Sequence, residues 1–66
     1  MTIVVNGKPR ELQTRVNLGQ LLEDLDLDRQ RVAVELNRDI VPRERFDDTS
    51  LADGDRVEVV QFVGGG

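Results

Sequence analysis

Three glycines, Gly64, Gly65 and Gly66, stand at the end of this sequence, and the carboxylate of Gly66 is the group on which chemistry is expected. Glycine has no Cβ, so an extended run of it can thread a narrow tunnel in another protein without side-chain clashes. Three extended residues reach about 10 Å, enough to carry a carboxylate into a second protein's active site while the folded body stays outside. The rest of the chain offers little that reacts. It has no His, Cys, Trp or Tyr, which removes the usual metal ligands, the thiol nucleophile, the commonest general base and any disulfide. No phosphate-binding loop, metal-ligand spacing or catalytic triad is present. The chain is therefore expected to be acted upon by other proteins rather than to be an enzyme, and to bind no cofactor or metal. A flexible end without a role is the competing reading of the glycines; a long strand leading straight into them favours the functional one.

That strand, read from Arg56 to Val63, carries a second signal. Val57, Val59, Gln61 and Val63 share one face, and Glu58, Val60 and Phe62 share the other. Glu58 is hard to bury, so its face is expected to point away from the core. Val60 and Phe62 are then apolar groups left exposed beside the tail, and exposed apolar groups rimmed by charge mark docking sites. The alternatives are that other side chains cover them, or that the register differs by one.

Elements that would position these groups follow from changes of period along the chain. Thr2 to Asn6 is rich in β-branched residues, and Asn6-Gly7 is a tight-turn signal leading to a second strand from Arg10 to Val16, with Leu12 inward. Asn17 reads as a helix N-cap with Gln20 completing a capping box, and Val16 and Leu21 stand where a hydrophobic staple would form. Leu18, Leu21, Leu22 and Leu25 then follow the i, i+3, i+4, i+7 rule of a short amphipathic helix. Period two returns in Val32 to Asn37. A turn at Asn37-Arg38-Asp39 and a brief strand, Ile40-Val41, end at Pro42. Phe46 to Leu51 reads as irregular, with Phe46 plugging one end of the core, and Asp53-Gly54-Asp55 is another turn. Arg43 and Arg45 read as solvated turn residues. The order hairpin, helix, strand, short strand, final strand predicts an α+β β-grasp (ubiquitin-like) fold. It would be a mixed sheet of four to five strands with one helix packed across one face. The first and last strands would pair in parallel at the centre of that sheet. The domain is expected to occupy 1–63, and 64–66 to be a flexible glycine tail.

Sixty-six residues make one domain near the lower limit for a core without staples, leaving no room for a deep substrate cavity. There are 13 Asp and Glu against 9 Lys and Arg, a net charge of −4. With only two aromatics, that composition is a poor match to nucleic acid. It suits solubility, and docking on a basic patch of a protein partner. The first residues turn polar too soon for a signal peptide and no apolar run could span a membrane, so cytoplasm is the expected location.

The run Asn37-Arg38-Asp39-Ile40-Val41-Pro42-Arg43-Glu44-Arg45-Phe46, the Asp53-Gly54-Asp55 turn and the terminal Gly65-Gly66 together resemble one known family across the whole chain. It is that of the bacterial sulfur carriers of thiamine biosynthesis, the ThiS family. Phe46 stands where a larger aromatic is usual, and Gly64 adds a third glycine. The resemblance implies that a ThiF-type adenylating enzyme uses ATP to attach AMP to the Gly66 carboxylate. Sulfur from a persulfide protein would then displace AMP, leaving a thiocarboxylate from which a ThiG-type thiazole synthase takes the sulfur. Gly64 and Gly65 would lie in the partner's tunnel, and Val60 and Phe62 would dock. The same chemistry could serve molybdopterin or cysteine synthesis, or join the chain to lysines as a modifier. A binding-only module in which the glycines do nothing is the remaining alternative.

Overall fold

The computed structural model describes residues 1–62. Val63, Gly64, Gly65 and Gly66 lie outside the described residues, and with them the expected boundary between domain and tail. Five strands form one mixed sheet: β1 (Thr2–Val5), β2 (Lys8–Glu11), β3 (Val32–Leu36), β4 (Asp39–Val41) and β5 (Arg56–Gln61), in the order β2-β1-β5-β3-β4. β1 and β5 pair in parallel and the other neighbours are antiparallel. The expected β-grasp arrangement is therefore present, with α1 (Leu18–Asp24) packed on one face.

Turn chemistry sets the strand boundaries. Asn6 and Gly7 both take positive φ (50° and 81°), as do Asn37 and Arg38 (51° and 74°), the geometry that reverses two adjacent strands tightly. β2 begins earlier than the sequence reading placed it and stops at Glu11 rather than Val16. It is an edge strand, and Pro9 falls opposite Val4 at a position whose backbone groups face away from β1. The absent N–H of Pro9 therefore costs no ladder bond. Leu12 is buried, and its N–H donates to the Met1 carbonyl.

Asn17 and Gln20 make the expected capping box: Asn17 Oδ1 accepts from the Gln20 N–H at 2.8 Å and Gln20 Oε1 from the Asn17 N–H at 2.9 Å. The helix ends through Asp26 at φ 60°, with the N–H groups of Asp26 and Leu27 donating to the carbonyls of Glu23 and Leu22. Its apolar stripe, Leu18, Leu21 and Leu22, joins Ile3, Val32, Val34, Leu51 and Val57 in the core. Phe46 closes that core, 1 % exposed. The segment read as irregular starts as a 3-10 helix, Arg43–Asp48, and a second 3-10 turn, Arg29–Arg31, precedes β3.

These two 3-10 segments are fastened across α1. Arg29 donates to both carboxylate oxygens of Asp47, at 2.9 and 3.1 Å, and this hydrogen-bonded pairing holds the Asp47 carboxyl below its usual range. Gly19 lies beneath the pair, where an added Cβ would collide with the Asp47 carboxylate and stand 2.7 Å from Arg29 Nη2. Gly→Ala inside a helix ordinarily stabilises by about 1 kcal/mol. Gly19→Ala is expected to lower the thermal midpoint instead, and to raise it when combined with Asp47→Ala, which calorimetry of the double-mutant cycle checks. A carboxyl whose folded pKa is depressed contributes stability above its unfolded pKa and loses it as pH falls through the folded value. Asp47→Asn should therefore destabilise at neutral pH, and its difference from the parent chain should shrink below about pH 4 in denaturation curves taken across pH.

Candidate functional site

β5 carries the chain from the middle of the sheet toward the glycines, and its neighbours fix where it leaves. On one side the full register with β3 runs from Leu36↔Val57 to Val32↔Gln61. One step further, the Phe62 N–H donates to the Arg31 carbonyl at 2.7 Å. Arg31 is itself held in the 3-10 turn, because Arg43 Nε donates to the Arg29 carbonyl at 2.8 Å and Arg43 Nη2 to that of Gln30 at 3.4 Å. Arg43 is exposed but is not the merely solvated turn residue the sequence suggests. On the other side the Asn6 side chain continues where β1 stops. Its Oδ1 accepts from the Val59 N–H at 2.7 Å and its Nδ2 donates to the Val59 carbonyl at 3.2 Å.

The origin of β5 is pinned in a similar way. The Asn37 N–H donates to the Arg56 carbonyl at 2.8 Å, and Asn37 Oδ1 accepts from the Arg56 N–H at 2.9 Å. Asn37 Nδ2 adds a bond to Asp55 Oδ1 at 3.0 Å. The left-handed turn residue thus also ties the β3–β4 hairpin to the Asp53-Gly54-Asp55 turn, where Gly54 has φ 87°.

Side chains alternate along β5 about this frame. Val57 is fully buried and Val59 half-buried under the helix, whereas Glu58, Val60 and Phe62 face out, Val60 at 61 % and Phe62 at 51 % exposure. Ile40, at 77 %, was not singled out from the sequence. It stands opposite Glu35, which stands opposite Glu58, while Ala33 stands opposite Val60. The outer face at the end of β5 therefore presents Ile40, Ala33, Val60 and Phe62 around two carboxylates. The alternation of Ile40 with half-buried Val41 was the available signal, but β4 has only three residues, too few to fix a phase. Gly64, Gly65 and Gly66 lie outside the described residues. Among the described residues no group of His, Cys, Asp and Glu is placed to hold a metal ion, and no helix is long and apolar enough to cross a membrane. A hollow of about 330 Å³ by Met1, Leu12 and Asp53 includes no residue of β5, while one of about 190 Å³ is lined by Ile40, Phe46 and Phe62.

Residues 3–66 match the model of the ThiS family. The chain belongs to that family. It is 44 % identical over 63 residues to the sulfur carrier protein ThiS of Bacillus subtilis, covering 94 % of this chain and 96 % of that one. A crystal structure of a thiamine biosynthesis protein (ThiS) from Geobacter metallireducens superposes with a TM-score of 0.85 at 42 % identity, covering 100 % of both chains. The thiazole synthase of Paramagnetospirillum magneticum is 39 % identical over 66 residues, and there this chain spans 20 % of the relative's length.

The outward placement of Val60 and Phe62 has a consequence for stability. Val60→Asp and Phe62→Asp should each lower the unfolding free energy by about 1 kcal/mol, whereas Leu21→Ala in the core should cost about 2–5 kcal/mol. Urea denaturation measures all three, and a loss of fold in either Asp variant would mean its side chain is buried.

Proposed function

We propose that this chain, by its family a sulfur carrier of thiamine biosynthesis, carries sulfur as a thiocarboxylate on Gly66. The observation that carries the reading is the match of residues 3–66 to the ThiS family, running through Gly65 and Gly66, in a chain with no cysteine. A carrier without a thiol can hold sulfur covalently only by converting a group it already has. The terminal carboxylate is the one such group on a stalk free of side chains.

In this proposal a ThiF-type adenylating enzyme joins the carboxylate to AMP from ATP and releases pyrophosphate. The terminal sulfur of a donor protein's persulfide attacks the acyl carbon and AMP leaves. A thiol then attacks the donor cysteine's sulfur, forming a disulfide with it and releasing the thiocarboxylate, which thiazole synthase consumes. The carrier contributes no catalytic side chain. Its parts are the Gly64–Gly65 tail that enters the partner and the Val60 and Phe62 face that seats against it. The thiazole synthase of P. magneticum contains a segment similar to this whole chain, which supports such a synthase as the sulfur acceptor.

Incubation with ATP, a thiazole-type adenylating enzyme and a persulfide donor should raise the intact mass by the difference between sulfur and oxygen. Fragmentation should place the gain on Gly66, and added thiazole synthase should remove it. Consumption by molybdopterin or cysteine synthesis alone would overturn the pathway, and stable amide links to lysines would make the chain a modifier. Absence of any mass change would leave a binding module. Deleting Gly65 and Gly66 should abolish adenylation with the thermal midpoint nearly unchanged. Val60→Asp or Phe62→Asp should weaken binding to the adenylating enzyme by at least about 1 kcal/mol in titration calorimetry.

A further inference from the structure

The backbone of β5 has an unfilled edge. In its ladder with β3, the Phe62 N–H donates to Arg31 and the Arg56 carbonyl accepts from Asn37, so even-numbered residues turn their backbone groups toward β3. Odd-numbered residues turn theirs toward β1. Three odd positions follow in order. The Val57 carbonyl accepts from the Asn6 N–H at 2.9 Å. Val59 is satisfied twice by the Asn6 side chain. At Gln61 the series ends, because β1 pairs with β5 only as far as Val5↔Val57 and the chain turns away at Asn6-Gly7. Among the described residues neither the N–H nor the carbonyl of exposed Gln61 has a protein partner.

An exposed strand edge with a free donor and acceptor is a template for one more strand. We propose that the adenylating enzyme adds an extended segment of its own backbone to β5 at Gln61, on the side that β1 has vacated. This rests on the carrier reading above, in which the tail is drawn into that enzyme. On the sheet's outer face the added strand would lie next to Val60 and Phe62, so its side chains there are apolar. One segment then engages both the backbone edge and the exposed side chains. A second copy of this chain is the weaker occupant. Each copy carries a net charge of −4, and mutual repulsion opposes an edge contact this short.

Amide hydrogen exchange followed by nuclear magnetic resonance tests the proposal. In the free protein the Gln61 amide should exchange faster than those of Val59 and Phe62, which are bonded to Asn6 and Arg31. In the complex with a purified thiazole-type adenylating enzyme it should slow by about tenfold or more. Gln61→Pro deletes an N–H that the β3 ladder does not use, and Gln61→Ala keeps it. The Pro variant should bind the enzyme about tenfold more weakly than the Ala variant. Equal affinities, or a Gln61 amide as fast in the complex as free, would overturn strand addition while adenylation of the parent chain left the carrier reading standing. A parent chain that binds but is never adenylated would sink that reading instead, whatever Gln61 does. Protection that appears on raising the concentration of the carrier alone would show that a second copy takes the edge.

Discussion

The parallel pairing of β1 with β5 at the centre of the sheet is the constraint on which the rest of the molecule depends. Parallel neighbours cannot be joined by a tight turn, so the chain between them must travel, and here it travels as β2, α1, β3, β4 and the two 3-10 segments. That excursion supplies the helix for the inner face and the antiparallel partner for the other side of β5. The last strand is thereby gripped on both flanks near its start and on one flank near its end. Its last residues stand in the middle of the sheet, beside an outer face that no helix covers among the described residues.

A carrier of this kind separates rigidity from reactivity. The inner face holds the whole apolar core, from Ile3 and Val57 to Leu21 and Phe46, and a domain of this size has none of it to spare for a pocket. The outer face is left to mixed apolar and acidic side chains, Ile40, Val60 and Phe62 beside Glu35 and Glu58. In the proposed reading the chemistry is displaced to Gly66, behind residues without side chains that could obstruct it. In that reading the absence of Cys and His leaves no thiol or imidazole to compete for the activated carboxylate.

Much of this frame was legible because it is written in local signals. Asn6-Gly7 and Asn37-Arg38 announce their turns, Asn17 and Gln20 announce the helix start, and Glu58 settles which face of β5 is wet. The unread parts are pairings between residues far apart in sequence, which leave no period. Arg29 meets Asp47 across 18 positions, and only that meeting explains why Gly19 sits inside a helix. Asn6 reaches Val59 across 53 positions, so a residue read as turn chemistry also extends the sheet. Arg43 looked solvated because an exposed guanidinium bonding to backbone carbonyls has the same sequence signature as one facing water.

The bond from the Phe62 N–H to the Arg31 carbonyl sets the scale of the functional geometry. It is the last backbone bond holding the strand among the described residues, and it is backed by Arg43 and, through Arg29, by Asp47. Beyond Phe62 four residues remain, Val63 to Gly66, whose fully extended span is at most about 14 Å. A partner that acts on the Gly66 carboxylate would therefore place its active site within that distance of Phe62. In the proposed reading, that short reach brings the partner over Phe62 and Val60. On that proposal the exposure of Val60 and Phe62 and the length of the tail serve one requirement.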